Sequence, residues 1–313
     1  MAFFYQVFGL VCDSALEIPA FFPINGENRV VDFTLRLGKV QKAFSQPGVW
    51  SDANSCMNAQ EFFMEVPNIA RYFVKNGQEV LVEPLCEDMR DVLLYFKSNC
   101  LAALLFQKGK IPFHVSGVVD KDGGVWLFSA DSGIGKSTTA LKLKEKGYPL
   151  FTDDTALIEV AHGQCWAKAS YPLIKAWPQT MAHQSMYSNQ ESFPLFSGND
   201  KQGIHFHQEF IHQALPVKGI VFLKIEGDRV QVRPLKAVEG MSLLLSNVYR
   251  GHWVTALNQN PLQFKTVAAI AQTTRFCEAV RPNQQESYET FANAIIEKIF
   301  IHEGNGCKAV SYA

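Results

Sequence analysis

Short runs with apolar residues on alternating positions, separated by turns, recur through residues 1–86, the pattern of short strands with one buried face. Phe4–Cys12, Arg29–Leu37, Glu61–Val66, Ala70–Val74 and Glu79–Val82 are the predicted strands. Asn76-Gly77, between the last two, is a strong hairpin signal because both residues tolerate a positive φ. Val40–Ala59 is looser, with Pro47-Gly48 as its clearest turn. The period then changes. Met89, Val92, Leu93, Phe96, Cys100, Leu101, Leu104 and Leu105 recur at helical spacing, which predicts a helix over Glu87–Gln107, closed off by Gly109 and Pro112.

Beyond it the strand pattern returns as Phe113–Val119 and Val125–Ser129, joined by an Asp120–Gly124 turn. A helix is predicted over Ser137–Lys146 with Gly147 as its stop, followed by strands at Leu150–Thr152 and Ala156–Val160. Gly219–Ile225 reads as a buried strand, with Val230–Val232 its shorter partner across Glu226-Gly227-Asp228. Helices are expected at Ala237–Tyr249, Pro261–Gln272 and Gln285–Ile301. The implied fold class is α/β with an α+β tendency. It has a mixed, partly antiparallel sheet, a phosphate loop and flanking helices, behind a small β-rich N-terminal module. The expected divisions are 1–86, a linking helix at 87–109, a catalytic domain at 110–303 and a flexible tail at 304–313.

Composition narrows the partners. The 313 residues carry a formal charge of -1, with 47% hydrophobic and 19% charged residues. Neither nucleic acid nor an anionic membrane is an expected partner on that balance. No basic leader or membrane-length apolar run is evident, and the 7 cysteines form no C-x-x-C pair, so a cytoplasmic protein with reduced thiols is expected. His205, His207 and His212 lack a carboxylate or cysteine at zinc-like spacing, and a surface or loop role is expected of them.

The chemistry concentrates after the Val125–Ser129 strand. Ala130, Asp131, Ser132, Gly133, Ile134, Gly135, Lys136, Ser137 and Thr138 approximate the G-x-x-x-x-G-K-[ST] phosphate loop, with Ala130 in place of the first glycine. The glycines allow a tight turn whose N–H groups face phosphate oxygens, and the following helix adds a positive end. Lys136 can neutralise phosphates and Ser137 can hold Mg²⁺. The preceding hairpin makes the loop strand's immediate neighbour antiparallel. Asp153 and Asp154 follow at a strand end, suited to accepting a hydroxyl proton and to binding Mg²⁺. His114 falls near them if its strand neighbours the loop strand, and Arg250 is the candidate for stabilising a transferring phosphoryl group.

The segments Ala130–Thr138, Thr139–Leu143, Lys146-Gly147 and Asp153-Asp154 closely resemble the core of HPr kinase/phosphorylase. That resemblance implies Asp153 as general base, Ser137 and Asp154 toward Mg²⁺, Lys136 on the phosphates of ATP, and His114 assisting. Phe8-Gly9-Leu10, Ser14–Pro19, Pro67–Tyr72 and Lys175–Pro178 are similar to the divergent branch that includes lasso-peptide precursor kinases. The match is specific over about residues 110–160 and loose elsewhere. Thr138 stands where HPr kinase usually has an acidic residue, and no copy of its Pro-Gly-Arg-Asn segment is found. The implied activity is transfer of the γ-phosphoryl of ATP to a hydroxyl, serine by preference, on a peptide or small protein, with homo-oligomerisation possible. A small-molecule hydroxyl kinase and a non-catalytic nucleotide-binding regulator are the alternatives.

Overall fold

The computed structural model describes residues 2–50, 52–178, 192–196, 200–284 and 287–301. The expected tail at 304–313 lies outside them. Nine strands before residue 85 form one sheet: β1 (Phe3–Val7), β2 (Leu10–Ser14), β3 (Phe22–Pro23), β4 (Phe33–Leu37), β5 (Val49–Trp50), β6 (Ser55–Met57), β7 (Glu61–Val66), β8 (Ala70–Lys75) and β9 (Glu79–Pro84). Their order is β3-β1-β2-β4-β9-β8-β7-β6-β5, antiparallel except where β4 lies parallel to β2 and β9. Asn76-Gly77 turns the β8–β9 hairpin with both residues at positive φ.

The continuous strand expected over Phe4–Cys12 is instead the hairpin β1–β2. Phe8 adopts φ 53 ahead of Gly9, and its apolar ring, buried for a tertiary reason, disguised the turn as another alternating position. The Phe8 N–H reaches the carbonyls of Ala169 and Ser170 at 3.1 and 3.3 Å, tying this turn to the second half of the chain.

The expected long helix runs as α1 (Met89–Tyr95), a π-helical turn at Phe96–Cys100, and α2 (Leu101–Gln107). Residues 100–106 are buried on every side, because the helix lies between the first sheet and the rest of the chain. The Tyr72 hydroxyl donates to the Val92 carbonyl at 2.8 Å from one side, and the Gln259 amide donates to the Phe106 carbonyl at 2.6 Å from the other.

The second sheet holds β10 (Pro112–Phe113), β11 (Val115–Val119), β12 (Val125–Ser129), β13 (Leu150–Thr152), β14 (Ala156–Ala161) and β15 (Gln164–Ala169). After the short strands β16 (Leu173–Ala176), β17 (Phe193–Pro194) and β18 (Gln202–His205), which form a small sheet of their own, come β19 (Leu215–Ile225), β20 (Gln231–Leu235) and β21 (Arg275–Arg281). The main order is β10-β14-β15-β19-β12-β11-β13, with β21 on β19 and β20 on β21. β12 is antiparallel to β11 and parallel to β19, so the sheet is mixed, as expected from the hairpin before the loop. The protein is α/β in class, with helices flanking mixed sheets. β20 does not pair with β19; it pairs with β21, a strand the sequence pattern did not single out. Helix α3 (Lys136–Glu145) follows β12, and Gly147 at φ 89 stops it, with N–H groups of Gly147 and Tyr148 satisfying the Lys144 and Leu143 carbonyls.

Candidate phosphoryl-transfer site

Five buried residues of β12 deliver the chain through Ala130 to a loop that lines a cavity of about 190 Å³ from Ser132 onward. Ala130 keeps an ordinary φ, so the missing first glycine costs the loop nothing. Gly133 and Gly135 have φ of 88° and 110°, and a Cβ on Gly135 would fall 2.2 Å from the Tyr288 hydroxyl. Only glycine fits there. No side chain caps α3, so its first-turn N–H groups remain for an anion.

Lys136 is 6% exposed and donates from Nζ to the carbonyls of Ala130 at 2.7 Å and Asp131 at 3.2 Å. Burial lowers its pKa to about 8, against the pull of Asp153, Asp154 and Asp131. The ammonium is thus held at the loop by neutral oxygens that a phosphate can displace.

Opposite the loop stand the two carboxylates. Pairing of β13 with β11 carries Asp153 beneath the start of α3. Asp153 is 2% exposed, and its Oδ1 accepts from the hydroxyls of Ser116 at 2.6 Å and Ser137 at 2.7 Å. Its Oδ2 accepts from the Lys175 backbone N–H at 3.0 Å. Asp154, the next residue, adopts φ 69, a conformation Asp tolerates. Its Oδ2 meets the Lys175 ammonium at 2.6 Å. Burial pushes the Asp154 carboxyl up, but Lys175 and then His114 override it and hold the pKa at about 2. Lys175 is held well above its ordinary value despite burial, chiefly by Asp154.

His114 sits between β10 and β11 with Nδ1 2.9 Å from the Asp154 carbonyl and 3.8 Å from its Oδ1. A carbonyl only accepts, so Nδ1 carries the proton and Nε2 is the unprotonated nitrogen of the neutral ring. Burial lowers the His114 pKa in spite of Asp154.

The cavity therefore gathers His114, Ser132, Gly133, Gly135, Lys136, Ser137, Thr138, Asp153 and Asp154 from the residues the sequence singled out. Asp131 and Ile134 are not among the lining residues; the Asp131 carbonyl accepts from Lys136 and the Ile134 carbonyl from Arg281. Arg250 does not line the cavity. At φ 55 it turns the chain after the Ala237–Ser246 helix, and its guanidinium lies 5.7 and 5.6 Å from the ring centres of Tyr249 and Trp253. The Ser137 hydroxyl meets Asp153, not Asp154.

Several contributors had no clear signal in the sequence. Ser116 is one serine inside an apolar strand, and Arg281 and Tyr288 come from β21 and the helix Ser287–Ile295. Trp177 and Lys201 also line the cavity, with the Lys201 ammonium 5.1 Å from the Trp177 ring centre. Lys175 was marked by resemblance alone. The three histidines serve the scaffold: His207 Nε2 donates to the Phe21 carbonyl at 3.0 Å, and His205 and His212 lie against Phe193 and Phe22.

Among the described residues, no three His, Cys, Asp or Glu side chains converge as an all-protein metal cage. The oxygens present fit Mg²⁺ in its other usual role, in which one or two carboxylates and a hydroxyl act with phosphate oxygens and water. Asp154 Oδ1 lies 3.8 Å from the His114 ring nitrogen, while Oδ2 is engaged by Lys175.

The fold and site together define a mixed α/β protein in which a glycine-rich loop of phosphate-loop pattern faces a carboxylate pair. No family model matches the chain, and no curated protein matches it. Among solved structures, the HPr(Ser) kinase/phosphatase from Coxiella burnetii is similar over 62% of this chain and 99% of that one, with 12% identity and a TM-score of 0.32. A likeness so remote identifies neither family nor chemistry. Among the described residues, no helix is long and apolar enough to cross a membrane.

Proposed function

We propose that the protein is an ATP- and Mg²⁺-dependent kinase that transfers the γ-phosphoryl group to a hydroxyl, serine by preference, of a peptide or small protein. One observation carries this reading: a buried carboxylate, Asp153, lies 2.7 Å from the hydroxyl of the phosphate-loop serine, Ser137. Phosphoryl transfer asks a protein mainly for positioning and charge neutralisation, and a proton acceptor beside a phosphate cradle supplies what a hydroxyl acceptor needs.

In this reading Lys136 and the N–H groups of residues 131–138 hold the phosphates. Asp153 accepts the proton of the attacking hydroxyl. Asp154 is too strongly held by Lys175 to be a useful base, which leaves its free oxygen, with Ser137, for the metal. Mg²⁺, when bound, neutralises the phosphate oxygens. His114 fixes the Asp154 turn through its carbonyl. Residues 110–303 are proposed as the catalytic domain, residues 1–86 as an accessory β-rich module, and a lasso-peptide precursor as one candidate acceptor.

The test is incubation with γ-labelled ATP, Mg²⁺ and panels of serine-containing peptides and small alcohols. Label on a peptide is expected, and Lys136→Ala is expected to abolish it. Label on a small alcohol alone would favour the metabolite-kinase reading. Tight nucleotide binding without transfer to any acceptor would favour a regulator.

A further inference from the structure

The far end of the chain closes the loop from behind. Arg281, the last residue of β21, is 5% exposed. Its Nη2 donates to the Tyr288 hydroxyl at 2.6 Å and to the Ile134 carbonyl at 3.2 Å. Its Nη1 donates to the Pro282 carbonyl at 3.0 Å and to Ser287 Oγ at 3.4 Å. The guanidinium also stacks on the Tyr288 ring, 3.9 Å from its centre. All these acceptors are neutral oxygens.

Two consequences follow from bond geometry. In a trans peptide the carbonyl and the next N–H point in opposite directions. Anchoring the Ile134 carbonyl on Arg281 therefore turns the Gly135 N–H to the opposite side, away from Arg281. The Tyr288 oxygen, by accepting from Arg281, keeps its own proton for another partner. That oxygen lies over Gly135 and lines the cavity.

We propose that Tyr288 donates its phenolic proton to the phosphate chain of the bound nucleotide, and that Arg281 is the positioning residue that aims both Tyr288 and the Gly135 N–H. The proposal deepens the nucleotide-site reading above and rests on it. It adds a contact from outside the phosphate loop. It also couples the Ser287–Ile295 helix to nucleotide binding, since that helix packs on α3 and Glu289 pairs with Lys146.

The experiment titrates wild type, Tyr288→Phe, Arg281→Gln and Arg281→Lys with Mg²⁺·ATP and with Mg²⁺·pyrophosphate, and records the thermal midpoint of each ligand-free protein. Tyr288→Phe is expected to weaken both ligands by about ten- to hundredfold, the range for a hydrogen bond to a charged group, while its midpoint stays within a few degrees of wild type. Arg281→Gln should lose affinity similarly, and Arg281→Lys should recover it only in part, because an ammonium cannot serve two acceptors as a planar fork. Tyr288→Phe binding both ligands as tightly as wild type would overturn the proposal, even if Arg281→Gln fails to fold. Failure of wild type to bind either ligand would overturn the nucleotide reading itself, and this contact with it.

Discussion

The two walls of the cavity are built by opposite means. The phosphate wall is local: residues 130–138 form a contiguous turn and helix start, shaped by two glycines and held from behind by Arg281 and Tyr288. The carboxylate wall is assembled from distant segments, with His114 and Ser116 from β10–β11, Asp153 and Asp154 from the β13–β14 turn, and Lys175 from β16. A local wall can cradle an anion that arrives from solution. A wall assembled at long range can give two adjacent carboxylates different environments. Asp153 accepts hydrogen bonds from three neutral donors, whereas Asp154 pairs directly with the Lys175 ammonium. In the proposed kinase reading the difference separates binding from chemistry, and it can be tested.

The largest effect should fall on transfer alone. Asp153→Asn is expected to lower the transfer rate by about 10²–10⁴-fold, the usual contribution of a general base, with ATP affinity little changed. Rates and affinities measured in parallel check this, and an equal loss of both would mean that the two walls do not divide the work.

Next comes stability. Lys175→Met leaves the half-buried Asp154 without its cation, and the cost in denaturant unfolding at neutral pH should lie below the roughly 3–5 kcal/mol of a fully buried pair. The Asp154 pKa is depressed to about 2 in the folded protein, against roughly 3.9 unfolded. Its stabilising contribution is therefore present above about pH 4 and is lost as pH falls toward the folded value. The variant should show a weaker dependence over that window. An unchanged unfolding midpoint in Lys175→Met would remove the ion pair from the account.

The smallest effect is the pH dependence of the phosphate wall. Lys136 in the ligand-free site has a pKa of about 8, and bound phosphate favours its charged form. ATP affinity should be flat below that value and then fall by up to about tenfold per pH unit above it, with a proton taken up on binding. Isothermal titration in two buffers of different ionisation enthalpy measures both. A flat profile through pH 9 would contradict the assignment of Lys136 to the phosphates.

Much of the fold was legible because period and turn chemistry are local. The strands Glu61–Val66 and Leu150–Thr152 lie where alternation predicts them, and Gly147 stops α3 as its position implies. Where the pattern misled, tertiary contact had changed the rule. The buried ring of Phe8 hides a hairpin turn inside an apolar run, and β20 finds its partner in β21, not in the strand just before it.

The amino-acid sequence alone made the glycine-rich loop pattern readable, since Gly133, Gly135, Lys136 and Ser137 act through backbone torsion and helix geometry within one short segment. It also marked Asp153, Asp154 and His114 as candidates. Only the tertiary structure decided which carboxylate meets Ser137, which one Lys175 neutralises, and that Arg281, not Arg250, stands behind the loop. Those choices depend on strand register and on charges brought together from far apart in the chain, which no local pattern encodes.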